Sequence, residues 1–140
     1  MERNGNGSMH MIDKIAYIYI RDRKMLSTRS RGKDVYYIPG GKREEGENDI
    51  ETLIREVKEE LSVDIVPETV RYLGTYQAQA HGHAEGVIVK MTCYEADYSG
   101  EMKADSEIEE IVWLTSEDLD RVSPVDRIIM TDLKEKGYID

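Results

Sequence analysis

Gly41-Lys42-Arg43-Glu44-Glu45-Gly46-Glu47, followed after seven residues by Arg55-Glu56-Val57-Lys58-Glu59-Glu60-Leu61-Ser62-Val63, is the stretch on which the reading of this chain turns. Ile50, Leu53, Ile54, Val57 and Leu61 recur at helical spacing, which predicts a helix over 49–61 with one apolar stripe. Asn48 stands at the N-cap position and Glu51 follows three residues later, the spacing of a capping box. Glu56, Glu59 and Glu60 occupy i, i+3 and i+4, so their side chains share adjoining turns. At about 100° per residue they centre roughly 120° from the apolar stripe, with Glu60 nearest to it and Glu59 furthest.

Three carboxylates so close repel one another unless a cation lies between them. Oxygen-only ligation favours Mg²⁺, with Mn²⁺ as the alternative. Such an ion neutralises phosphate oxygens and acidifies a water that attacks phosphorus. Arg55, four residues before Glu59, is placed to orient a carboxylate, and Gly40 and Gly41 permit a tight turn beside the helix. The plainer alternative is a solvated helix face, because Glu is a good helix former.

Working outward, residues 1–10 are Gly-, Asn- and Ser-rich without period and read as a flexible tail, leaving 11–140 as one folded domain. Over 12–20 both alternating sets, Ile15/Tyr17/Tyr19 and Ala16/Ile18/Ile20, are apolar or aromatic, the pattern of a central strand covered on both faces. Short strands are predicted at 25–28 and 35–38, the second stopped by Pro39-Gly40-Gly41. Further strands are expected at 63–66, 70–77, 86–94 and 108–114, then a Ser116-led helical turn. In the third of these Val87, Val89, Met91 and Cys93 share a face, which makes Cys93 a core residue rather than a nucleophile. Ser123-Pro124 opens a last helix packed through Val125, Ile128, Ile129 and Leu133, and Gly137 ends it.

A net charge of −10 argues against nucleic-acid or anionic-membrane binding, since both need a basic surface. A phosphate ligand would then require a local basic pocket or a metal ion. One cysteine excludes an internal disulfide and a Cys-rich zinc site, and the cytoplasm is the expected compartment. The apolar run at 15–20 is too short to span a bilayer.

The quoted stretch resembles the Nudix box, G-x5-E-x7-R-E-U-x-E-E-x-G-U with U aliphatic, at every defined position but one; Ser62 stands where the family has glycine. The segment Tyr36-Tyr37-Ile38-Pro39-Gly40-Gly41 resembles the strand and turn that lead into the box. The resemblance implies an α/β fold, an α/β/α sandwich on a mixed β-sheet, and an enzyme of the MutT-like pyrophosphohydrolase kind. By the same resemblance Glu56, Glu59 and Glu60 would be metal ligands, Gly40 a carbonyl ligand, and Glu47 and Arg55 their supports. Many members are homodimers, and that expectation rests on the resemblance alone. Serine at the left-handed end of the helix costs about 1 kcal/mol and removes no ligand.

Glu107, six residues before Trp113, resembles the family's later acidic residue that faces the metals; an ordinary charge at a strand start is the alternative. Arg29, Arg31, Lys42 and Arg43 are candidates for substrate phosphates, or else solvated surface cations. Tyr36, Tyr37 and Tyr76 are candidates for stacking on a base, or core. His81-Gly82-His83 is too sparse for a zinc site and reads as a loop. The expected function is Mg²⁺-dependent cleavage of a diphosphate linkage in a nucleoside di- or triphosphate, including removal of oxidised or surplus nucleotides. The alternatives are a nucleotide-sensing module that does not cleave and a hydrolase of a non-nucleotide diphosphate. ADP-ribose-specific members often carry a proline where Ala78 stands here, which weighs against that substrate.

Overall fold

The computed structural model describes residues 11–140, so the expected 1–10 tail lies outside the described residues. In chain order the elements are β1 (Met11–Tyr17), β2 (Ile20–Arg21), β3 (Lys24–Ser30), β4 (Gly40–Gly41), α1 (Asp49–Leu61), β5 (Asp64–Ile65), β6 (Arg71–Gln79), β7 (Ile88–Glu95), β8 (Tyr98–Ser99), β9 (Ile108–Leu114) and α2 (Pro124–Glu135). A 3₁₀ turn spans Pro67–Thr69, and two 3₁₀ turns joined across a kink at Asp118 span Ser116–Arg121.

A mixed sheet of order β4-β1-β7-β6 forms the centre, with β1 and β7 parallel from Met11 opposite Ile88 to Tyr17 opposite Tyr94. The other pairings in it are antiparallel, and β2, β3 and β9 form a second, antiparallel sheet. The two faces of β1 part as its alternation requires. Ile15 and Tyr17 pack with Leu53, Val57 and Leu61 of α1, while Ala16 and Ile18 pack with Val125, Ile129, Met130 and Leu133 of α2. The result is an α/β/α sandwich on a mixed sheet.

Helix α1 begins as its sequence demands. The Asn48 side chain accepts the Glu51 N–H at 2.8 Å, and Glu51 returns the bond to the Asn48 N–H at 2.9 Å. It ends at Ser62, left-handed with φ 65°, whose N–H reaches the Lys58 carbonyl at 3.1 Å. Val89, Met91 and Cys93 are buried together against α2, so Cys93 is a core residue.

Two expectations are corrected. Residues 35–38 form no strand; they make single rungs, Tyr37 with Thr28 and Tyr36 with Val122, so no ladder extends on either side. Both helical stripes are also narrower than their sequence pattern, because Ile50 is 39% and Ile128 45% exposed. The sheet covers only part of the face that periodicity marks as apolar.

Candidate functional site

A cleft of about 620 Å³ brings together Glu56 and Glu60 of α1, Gly40 and Gly41 of β4, Glu107 just before β9, and Lys14 of β1. Glu60 lies at the core edge of α1, 9% exposed, and its Oε1 accepts the Gly40 N–H at 3.1 Å. Gly40 has φ 143°, and a Cβ there would overlap the Ile15 carbonyl across the strand pair. At Gly41 a Cβ would overlap the Glu56 carboxylate. The two glycines therefore let the helix carboxylates lie directly against the backbone.

Burial pushes the Glu60 carboxyl up to about 8, and the neighbouring Glu56 and Glu107 push the same way, against the Gly40 N–H and Lys14. Burial also raises Glu56, opposed chiefly by Arg55. Carboxylates that raise one another at the wall of one cleft form a donor set suited to a hard divalent cation, which would reverse those shifts. As the side chains stand, among the described residues no three His, Cys, Asp or Glu are gathered closely enough to hold an ion. Glu56 is turned to Arg55 at 3.0 Å and Glu60 to Gly40. Glu59 does not line the cleft; its side chain is 51% exposed and, among the described residues, is bonded only by Arg55, at 3.4 Å.

Arg55 organises the loop before the helix. Its Nε and a terminal nitrogen grip both Glu47 oxygens at 2.6 and 2.9 Å, and the same nitrogen donates to the Lys42 carbonyl at 3.0 Å. That grip holds the Glu47 carboxyl down at about 2. Glu47 also accepts the Glu44 N–H at 2.9 Å, so the loop is closed on itself.

The basic candidates divide. Lys42 and Arg43 line the cleft, but the Arg43 guanidinium is bonded to Asp13 at 2.8 Å and Asp49 at 2.7 Å. Arg29 and Arg31 do not line it. Thr28 and Ser30 do, and the period of two on β3 sends Arg29 to the other face, where it pairs with Glu109 and Glu110. Arg31 donates to the Ser106 carbonyl at 2.7 Å. Tyr36 also lies off the cleft, its hydroxyl bonded to Glu110 and its ring under Arg121, and Tyr76 bonds Asp132 of α2 at 2.5 Å. Of the three tyrosines only Tyr37 lines the cleft.

The loop after β6 reaches the cleft through His81 and His83, which spacing alone left as an ordinary loop. His81 meets the Tyr37 ring edge-on at 6.2 Å. Gln79 shapes that loop. Its Nε2 lies 3.2, 3.4 and 2.8 Å from the carbonyls of Ala80, His83 and Ala84, and its Oε1 accepts the Gly86 N–H at 2.9 Å.

Sequence reasoning missed Lys14, Lys33, Gln79 and Asp126, all of which line the cleft. Asp126 of α2 is 1% exposed, and its Oδ2 accepts the Ile38 N–H at 2.8 Å. Burial pushes it up to about 7, against the Ile38 N–H, Lys14 and the Ser123 hydroxyl. Ser123 was legible as an N-cap, yet its side chain caps nothing, and its buried hydroxyl lies at the cleft wall beside Asp126. A serine at that position before Pro124 was the available signal, but only the fold shows which way it faces.

The NUDIX domain family matches residues 11–133. Among solved structures, the E. coli ORF135 protein is 28% identical with a TM-score of 0.71, the match covering 97% of this chain and 99% of that one. A nudix hydrolase family member from Chromobacterium violaceum is 25% identical with a TM-score of 0.69, covering 89% and 78%. The fold of the E. coli dihydroneopterin triphosphate pyrophosphohydrolase matches with a TM-score of 0.68 at 20% identity, covering 89% and 96%. No curated protein sequence matches. Among the described residues no helix is long and apolar enough to cross a membrane.

Proposed function

The chain belongs to the NUDIX domain family and is a Nudix pyrophosphohydrolase; from that premise we propose that it cleaves, with Mg²⁺ or Mn²⁺, a diphosphate linkage in a nucleoside di- or triphosphate or a related nucleotide derivative. One observation carries the proposal. A single cleft joins the carboxylate wall of Glu56, Glu60 and Glu107 to a second wall where Asp126 and the Ser123 hydroxyl are buried side by side. Carboxylates at one end suit a cation and its phosphates. Buried polar groups at the other suit the polar edge of a base, which they can bond in place of one another.

Gly40, through its carbonyl, and Glu56, Glu60 and Glu107, which line the cleft, are the residues that would hold the cation, and Glu59 would join them by turning its exposed side chain from Arg55. When bound, it supplies positive charge to the phosphate oxygens and makes water acidic enough to act as nucleophile near neutral pH. The remaining work falls to the chain itself. Lys14, Lys33 and Lys42 line the cleft and offset the protein's negative charge where phosphates enter. Arg55 keeps Glu56 and the 42–47 loop in place through its bonds to Glu47 and Lys42. A carboxylate of the glutamate wall takes the proton as water oxygen bonds to phosphorus. The anhydride oxygen leaves with the electron pair on the departing phosphate.

The test is chromatographic product analysis with Mg²⁺ across nucleoside triphosphates including 8-oxo-dGTP, dihydroneopterin triphosphate, nucleoside diphosphates and nucleotide sugars, with Glu60→Gln as control. Metal-dependent cleavage that disappears in the variant supports the proposal and names the substrate. Binding of these nucleotides without turnover would replace it with a sensing role. Turnover confined to a non-nucleotide diphosphate would overturn the substrate class.

A further inference from the structure

Glu107 reaches the carboxylate wall from a turn between β8 and β9, and two separate parts of the molecule fix that turn. From one side, the Asp105 N–H donates to the Glu60 carbonyl at 3.0 Å and the Lys103 N–H to the Leu61 carbonyl at 2.9 Å. These bonds dock the turn on the last carbonyls of α1, groups that a helix leaves without partners. The Ser62 hydroxyl adds a contact with Asp105 Oδ2 at 3.4 Å. From the other side Arg31 acts twice. Its backbone N–H donates to the Glu107 carbonyl at 2.9 Å, and its guanidinium to the Ser106 carbonyl at 2.7 Å.

The turn needs such bracing. Ser106 adopts φ 57°, a left-handed conformation that a serine holds only where surroundings impose it. The β3–β9 ladder also slips at this point. Arg29 faces Glu110 while Ser30 faces Ile108, so Glu109 bulges out two residues after Glu107. A bulge at the start of a strand re-aims the side chains around it. The Ser106 hydroxyl donates directly to Glu107 Oε2 at 2.8 Å, so the Arg31 guanidinium, by holding the Ser106 carbonyl, holds the residue that aims the carboxylate.

We propose that Arg31 is a positioning residue, which holds the 105–107 turn so that Glu107 is aligned with Glu56 and Glu60. The proposal rests on the reading of these glutamates as the cation-holding wall. It assigns Arg31 to the carboxylates and not to substrate phosphate, in keeping with its place outside the cleft.

The experiment titrates Mn²⁺ alone into the full-length protein by calorimetry and measures kcat and KM on the best substrate of the panel above. Arg31→Met removes the guanidinium and keeps the backbone N–H. It is expected to weaken Mn²⁺ binding by on the order of tenfold, with kcat lowered and KM within about twofold. Arg31→Lys, which keeps a charged donor, is expected to retain most of both. Because Arg31 is exposed, circular dichroism should show each variant folded. Raised KM with unchanged Mn²⁺ affinity would make Arg31 a phosphate contact and overturn the proposal. If wild type binds Mn²⁺ and cleaves, Glu107→Gln loses affinity and Arg31→Met does not, only the positioning role fails. If wild type neither binds Mn²⁺ nor cleaves any diphosphate, the functional reading falls and the positioning role falls with it.

Discussion

Glu60 and Asp126 hang from one short segment, 38–40: the Gly40 N–H donates to the first at 3.1 Å and the Ile38 N–H to the second at 2.8 Å. One acid comes from α1 and the other from α2, so the segment ties the two helical layers together at the cleft. Burial raises both acids, and Lys14 opposes the shift in both.

Glu60→Gln is expected to lower turnover by on the order of 10²–10⁴, the loss associated with removing a proton-transfer carboxylate, while circular dichroism stays native. Its effect on stability has the opposite sign. A raised carboxyl contributes stability that is full at low pH and lost as pH rises through about 8, and glutamine carries no such loss. In chelator at pH 9 the variant should melt at or above wild type; a lower midpoint would mean the burial argument is wrong.

Asp126→Asn tests the second acid without removing a carboxylate from the glutamate wall. The folded protein keeps a proton on Asp126 up to about pH 7, whereas the ordinary value is 3.8. Wild-type stability should therefore fall as pH rises between those values and level off above. Urea unfolding across pH 4 to 8 is expected to show this slope in wild type and a shallower one in the variant, which retains an acceptor for the Ile38 N–H. Parallel curves would contradict it.

Ser62→Gly addresses the departure from the box. Ser62 sits at φ 65°, where a side chain costs roughly 1 kcal/mol and glycine does not. The variant should gain about that much in denaturant unfolding. A loss would show that the Ser62–Asp105 contact outweighs the strain.

Gly41→Ala places a methyl where the Glu56 carboxylate lies. The flexible side chain can yield, so the protein should fold, but Glu56 is displaced from the cleft and turnover should fall by roughly tenfold or more. Mn²⁺ calorimetry on the variant separates that displacement from misfolding: a folded protein with wild-type affinity would refute it.

The parts of this molecule written in local pattern were readable in advance. The span of α1, its Asn48–Glu51 cap, the two faces of β1 and the limits of β9 all depend on spacing within a few residues, and all stand as read. So does the order of exposure from Glu59 to Glu60 around the helix. What local pattern does not carry is which distant element lies opposite. Tyr36 and Tyr37 are adjacent and chemically identical, yet one meets Glu110 and the other the cleft. Arg29 and Arg31 looked suited to phosphate because they are basic and near the box, but the pleat of β3 and the turn at Ser106 claim them. Asp126 resembled any acid in the first turn of a helix until the fold buried it.

Gln79 gives the cleft rim a freedom that the glutamate wall lacks. The loop it closes is held by this one amide, by the loop's own backbone and by His81 against the Tyr37 ring, helped by left-handed Gly82 and Gly86. The side chains at 83, 84 and 85 supply none of these contacts, so they can be exchanged without changing the path of the chain. At the box, by contrast, a single methyl on either glycine collides with a carboxylate or a strand. Selection can therefore retune what enters the cleft one substitution at a time, at little risk to folding, while the hydrolytic machinery stays fixed. Laboratory libraries aimed at new substrates should be confined to that rim.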